Sequence, residues 1–159
     1  MRAPSVALIL GFGPESEPLN SKTAGGFLSL KADFTKPDSI PPLFAAVRDE
    51  FHASPSVVVY NAAVRTPPPV KESVFSTPAE TIVSNLSVNI ISPYVAARQA
   101  ISGWALLPNE TKKTLIYVGN ILNVCVVPSP IIMTLGMGKS ASAYWIGLAD
   151  DLYSTLGFQ

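Results

Sequence analysis

Short unbroken apolar runs alternate along this chain with longer stretches in which apolar residues recur every three or four positions. Ser5 to Leu10 reads as a buried strand, and Phe27 to Ala32 as a strand candidate ending at Asp33. A helix is expected over 39–52. Asp38 or Ser39 can cap it, Pro41 and Pro42 suit its first turn, and Ile40, Leu43, Phe44, Val47 and Phe51 share one face. Ser56 to Tyr60 is the continuous apolar run that a central parallel strand requires.

A loop over 61–76 contains Pro67, Pro68 and Pro69. The helix after it has a start signal: Thr77 as N-cap, Pro78 in the first position and Glu80 completing a capping box. It is expected to run towards Trp104 through Ile82, Val83, Leu86, Ile90, Val95 and Ile101, interrupted by Pro93. Thr114 to Val118 is another strand, 132–156 a last helix, and Gly157-Phe158-Gln159 the opening of a further strand. Strands alternating with helices predict an α/β fold with a parallel sheet. The whole of 1–159 is read as one domain.

Composition narrows the function classes. Apolar residues make up 48% of the chain, which argues for a packed core and against disorder. A net charge of zero gives no electrostatic footprint for nucleic acid or an anionic membrane. The single Cys125 permits no internal disulfide, and one histidine with one cysteine cannot build a structural zinc site. No apolar run approaches the roughly 20 residues of a membrane span. Met1-Arg2 followed by Val6 to Leu10 is read as a first strand, not a signal peptide, because the apolar stretch is short and runs into Gly11-Phe12-Gly13-Pro14. Together these features predict a cytoplasmic protein without metal. Asn85-Leu86-Ser87 and Asn109-Glu110-Thr111 match the glycosylation pattern, which such a compartment would leave unused.

Candidate chemistry begins after the first strand. Gly11 and Gly13 form a glycine-rich turn of the kind that lets a backbone approach a pyrophosphate. A helix N-terminus should follow. Instead, the chain continues with Glu15, Glu17 and Pro18 and no apolar periodicity, so carboxylates stand where a phosphate would need amide donors. Further on come Asp33 after a strand, Asn61-Ala62-Ala63 after a strand, Asn89 inside a helix, and Lys139 within Gly138-Lys139-Ser140-Ala141-Ser142-Ala143.

In this order and spacing, these residues resemble the short-chain dehydrogenase/reductase family, from Ser5 to Leu156 with a gap. The resemblance implies a Rossmann-like three-layer parallel sheet, with NAD or NADP as cofactor and hydride transfer to or from a carbonyl or alcohol. It implies cofactor contacts at Gly11, Gly13, Asp33, Asn61, Ala62 and Lys139. It places Asn89, Asn120 and Lys139 at catalytic positions, where the family relays a proton through Asn, Ser, Tyr and Lys. The bland readings stand beside these: Asn61 as a turn residue, Asp33 as a loop cap before Thr35, and Lys139 as a solvated helix-start lysine.

Two departures bear on activity. The family's tyrosine lies four residues before its lysine, and Leu135 occupies that position here; a leucine exchanges no proton. Tyr144, five after Lys139, is expected to point to a different helix face and to pack against a neighbour. Only 21 residues separate Gly11 from Asp33, too few for the family's first helix, second strand and second helix. The chain is therefore expected to be a degenerate, incomplete and catalytically inactive member, with a non-catalytic interaction protein as the alternative. Pro93 deprives the Asn89 carbonyl of its helical partner, which leaves room for the family's relay water or for a kink filled by packing. Helices at 39–52, 78–104 and 132–156 cover one sheet face. Val6, Leu8, Val57 and Val59, or their alternating neighbours, would then face water. The last helix has a second apolar stripe (Met133, Met137, Tyr144, Leu148 and Leu152), which predicts self-association through helices 78–104 and 132–156.

Overall fold

The computed structural model describes residues 5–11, 26 and 28–157. Three strands, β1 (Ala7–Leu10), β2 (Val57–Tyr60) and β3 (Thr114–Tyr117), pair in parallel in the order β1-β2-β3. The register aligns Leu10 with Tyr60 and Tyr60 with Tyr117. Helix α1 (Ile40–Phe51) lies between β1 and β2 in the chain. α2 (Ala79–Leu86) and α3 (Ser92–Trp104) lie between β2 and β3, and α4 (Met133–Tyr153) follows β3. The α/β class and the parallel sheet are as expected.

Side-chain alternation along parallel strands gives the sheet two faces. Leu10, Val58 and Tyr60 point to the face that carries the core, where they meet Ile40, Leu43 and Phe44 of α1 and Ala96, Ala100 and Trp104 of α3. The opposite face holds Ala7, Ile9, Val57, Val59 and Ile116. Ile9 is 45% and Ile116 46% exposed, whereas Val57 and Val59 are half-buried. Among the described residues the third layer is therefore missing. The open residues are the alternating neighbours of Val6 and Leu8: Val6 is buried and Leu8 half-buried.

Several local expectations change. Residues 28–32 form no strand, and Phe27 lies outside the described residues, as do Gly13, Glu15, Glu17, Phe158 and Gln159. Helix α1 has no side-chain cap; the Ser39 hydroxyl donates to the Asp33 carbonyl instead, at 2.8 Å. Helix α2 begins one residue late, after an extended Pro78, and the capping box of Thr77 and Glu80 does not form. Pro93 does not break the long helix. The chain widens into a π turn over Ser87–Ile91, marked by Ser92 N–H bonding the Ser87 carbonyl, and then resumes as α3. A proline cannot supply the N–H that a regular helix needs at that point, and one extra residue per turn absorbs the loss.

Helix α4 packs against this π turn at close range. A Cβ built on Gly138 would lie 2.3 Å from Asn89 Cβ, whereas one built on Gly147 of the same helix meets nothing within 4 Å. Gly138→Ala must push α4 off the π turn and is expected to cost about 1–3 kcal/mol. Gly147→Ala should instead stabilise by roughly 0.5–1 kcal/mol through helix propensity. Urea denaturation of the two variants checks the pair. Equal midpoints would mean that the close approach at Gly138 does not exist.

Candidate functional site

The carboxyl ends of β1, β2 and β3 and the start of α4 bring most of the sequence-predicted positions to one end of the sheet. At the first of these ends Gly11 adopts φ +95°, a left-handed conformation that favours glycine. A Cβ there would lie 2.2 Å from the Ala62 backbone nitrogen. The turn after β1 is thus pressed onto the segment after β2. Asn61 N–H and Ala62 N–H both donate to the Leu10 carbonyl, at 2.8 and 3.1 Å. The Asn61 side-chain amide donates to the Gly11 carbonyl at 3.1 Å. Asn61 and Ala62 therefore tie two strand ends together.

Asp33 stands in an exposed turn. One carboxylate oxygen accepts from the Thr35 backbone at 3.1 Å and from the Thr35 hydroxyl at 2.6 Å, and the other meets Lys36 Nζ at 3.4 Å. The Thr35 hydroxyl, above all, holds the carboxyl below the usual aspartate range. Asn120 is likewise engaged locally: its side chain accepts from Leu122 N–H at 2.9 Å, and its own N–H donates to the Asn123 side chain at 3.2 Å.

Asn89 is the buried centre. It has no exposed surface. Its side-chain oxygen accepts from Val64 N–H at 3.1 Å, and its amide donates to the Val64 carbonyl at 2.9 Å, a two-way clamp on the loop after β2. The carbonyl freed by Pro93 accepts two hydroxyls, Tyr117 at 3.1 Å and Ser142 at 2.9 Å. Two acceptor sites are the capacity of a carbonyl, so side chains of this chain fill the place that the resemblance gave to a water. The preceding carbonyl, Val88, accepts the Tyr60 hydroxyl at 2.7 Å. Tyr60 and Tyr117 face each other in register with rings stacked 6.1 Å apart, so adjacent strands hold successive carbonyls of the π turn. Burial raises the pKa of both phenols, which keeps them donors.

Lys139 is only 4% exposed, not the solvated lysine of the bland reading. Its ammonium donates to the Val118 carbonyl and sits 4.3 Å from the centroid of the Tyr117 ring. The ring face and the carbonyl dipole substitute for water around the cation. Tyr144 is 78% exposed, so it points to solvent and does not pack as expected. Sequence reasoning missed Tyr117, Ser142 and Val64. Ser142 had a signal, since it lies three residues after Lys139 on the same helix face. Asn85, a glycosylation match, is buried, accepting from Thr66 and donating to Thr134; its amide is inaccessible in the folded chain.

These groups decide what the site can do. Gly11 is the described part of the glycine-rich turn, and the space a Cβ would need there is taken by the Ala62 backbone. Asp33, Asn89 and Lys139 are each engaged by partners within the chain. Among the described residues these groups do not by themselves make a complete nicotinamide dinucleotide site.

Burial lowers the Lys139 pKa from its ordinary 10.5. In the window between the lowered folded value and 10.5, the unfolded chain binds more protons than the folded chain, so this lysine's contribution to stability rises with pH. The stability of the parent chain relative to Lys139→Met is therefore expected to increase as pH climbs from 7 towards 10. Thermal melts of both proteins across that range read the difference directly. A constant difference would mean that Lys139 is not desolvated.

The comparisons agree with the fold. No family model matches the chain. A short chain dehydrogenase/reductase, dmxR12 of Cryptosporiopsis sp. (strain 8999), is 35% identical over 143 residues, covering 84% of this chain and 57% of that protein. Among solved structures, a metagenomic short-chain oxidoreductase in complex with NADP superposes with a TM-score of 0.69 at 16% identity, over 86% of this chain and 57% of that one. A 4-hydroxyisoleucine dehydrogenase complexed with NADH gives 0.68 at 14% identity, over 82% and 53%. A Francisella tularensis short chain dehydrogenase family protein gives 0.65 at 18%, over 82% and 48%. This chain spans about half the length of the proteins it matches. The chain is thus homologous by sequence to a short-chain dehydrogenase/reductase and shares the fold of that family's solved structures.

Proposed function

We propose that this chain keeps the short-chain dehydrogenase/reductase framework without its hydride-transfer chemistry. The parent reaction moves a hydride between NAD or NADP and a carbonyl or alcohol, and needs an acid to protonate or deprotonate the oxygen. Gly11, Gly13, Asp33, Asn61, Ala62 and Lys139 are the vestigial cofactor positions, and Asn89, Asn120 and Lys139 the vestigial catalytic ones. The observation that carries the reading is that both ends of the proton path are closed. Leu135 stands four residues before Lys139, and the Asn89 carbonyl is filled by Tyr117 and Ser142.

Isothermal titration and a turnover assay test this together. No saturable NAD(H) or NADP(H) binding below millimolar is expected, and no reduction of aldehydes, ketones or quinones above background. Leu135→Tyr alone should not restore turnover, because the acid is not the only missing part. Micromolar cofactor affinity, or turnover by either protein, would overturn the proposal.

One observation favours a second reading, a non-catalytic interaction protein. Tyr144 is 78%, Leu148 51% and Leu152 60% exposed along one side of α4, and Val83 of α2 is 65% exposed. α2 and α4 are in contact, so the residues belong to neighbouring helices. Exposed apolar side chains on two neighbouring helices suit an association surface, and a second copy of this chain offers the matching stripe. Light scattering after size exclusion is expected to give a dimer or larger species. Leu148→Lys should shift it to monomer. A monomeric parent chain would rule out self-association.

A further inference from the structure

We infer that the apolar pocket between α3, β3 and the carboxyl-terminal half of α4 binds a small apolar molecule that carries an ammonium group. The pocket has a volume of about 540 Å³, within the range that small-molecule sites occupy. Ile101 and Trp104 of α3 make one wall, β3 the floor, and Ile146, Asp150 and Tyr153 of α4 the other wall. None of Gly11, Asp33, Asn61, Ala62, Asn89 or Lys139 lines it, and it shares only Tyr117 with the cluster around Asn89. It also lies on a different side of α4 from Tyr144, Leu148 and Leu152.

The wall chemistry sets the ligand class. Among the described residues Asp150 is the one ionised side chain that lines the pocket, and no Lys, Arg or His does. An anion entering it would lose water, meet a like charge and gain no counter-charge. The other polar groups are engaged within the chain. The Tyr117 hydroxyl donates to the Asn89 carbonyl, the Trp104 ring nitrogen donates to the Pro55 carbonyl, and the Asn123 side chain accepts from Asn120 N–H. The Trp145 ring nitrogen is buried, out of a ligand's reach. Asp150 is exposed and stands at the rim, and Tyr153 follows it by three positions on the same helix face. A hydrocarbon body in the pocket, with its ammonium between the Asp150 carboxylate and the Tyr153 ring, answers both parts of the wall. This match of charge, not the apolar surface alone, names the ligand class. The inference goes beyond the proposed loss of chemistry, since it requires neither dinucleotide nor turnover.

Trp104 and Trp145 are the chain's two tryptophans and both line the pocket, so the intrinsic fluorescence of the full chain reports occupancy. The probes are 1-adamantanemethylamine, 1-adamantanemethanol and 1-adamantanecarboxylate, which share a skeleton, are transparent where tryptophan absorbs and differ in charge at neutral pH. The ammonium is expected to change the emission saturably. It should bind about tenfold tighter than the alcohol, since an exposed ion pair and a cation–π contact each contribute up to about fivefold. The carboxylate should not bind. Asp150→Asn should weaken the ammonium about fivefold and leave the alcohol unchanged. Gly147 lines the pocket, and a Cβ there meets nothing within 4 Å. Gly147→Leu therefore fills the space without a clash, and should abolish binding of both molecules without lowering the thermal melt. Asp150→Lys, at an exposed position, serves if that variant does not fold, and should turn the preference towards the carboxylate. No saturable response to the ammonium, equal affinity for ammonium and carboxylate, or an ammonium affinity unchanged in Asp150→Asn would overturn the inference. So would a response that survives both Gly147→Leu and Asp150→Lys, or one that fades as protein concentration rises, the last meaning that a second copy covers the pocket.

Discussion

The structure depends on a helix that is forced to open and on what fills the opening. Pro93 cannot give Asn89 its helical hydrogen bond, and the long helix responds with a π turn. The freed carbonyl would be a buried orphan, costing about 1–3 kcal/mol. Hydroxyls from β3 and α4 satisfy it. The Asn89 side chain clamps Val64, and Gly138 lets α4 approach to contact. One residue thus ties the loop after β2, the helix layer, β3 and α4 into a single unit.

The same arrangement fills both acceptor positions of the freed carbonyl. A carbonyl with a vacant lone pair beside a lysine can order a water and pass a proton along it; a carbonyl holding two hydroxyls is a structural joint. Tyr117 acts on both partners, donating its hydroxyl to Asn89 and placing its ring beneath Lys139. The ammonium is then stabilised by an aromatic face and a backbone carbonyl in a place that water hardly reaches. The groups that hold Asn89 and Lys139 in place also occupy their polar atoms.

The sheet shows the complementary weakness. A parallel sheet is apolar on both faces and is normally covered on both. Here every described helix that packs on it sits on the Leu10, Val58 and Tyr60 face. Ile9 and Ile116 are left nearly half exposed on the other. Packing energy is concentrated in one core, so substitutions at Phe44, Tyr60 or Trp104 weigh more than those at Ile9 or Ile116.

Much of this was legible from sequence. Unbroken runs at Val57–Tyr60 and Thr114–Tyr117 mark parallel strands, and helical spacing marks α1, α3 and α4, because burial on one or both faces imposes those periods directly. Leu135 four residues before Lys139, Asn89 followed by Pro93, and Gly138 beside Lys139 are properties of neighbours along the chain, and the sequence determines them alone. The segment at 28–32 has the composition of a strand and forms none, since a strand needs a partner and composition does not supply one. Nor does local sequence say where a hydroxyl ends up. Tyr117 lies 28 residues from Asn89 and Ser142 lies 53. Only the tertiary packing of β3 and α4 on the π turn brings them to the freed carbonyl, because a hydrogen bond between distant residues is fixed by the fold that carries both.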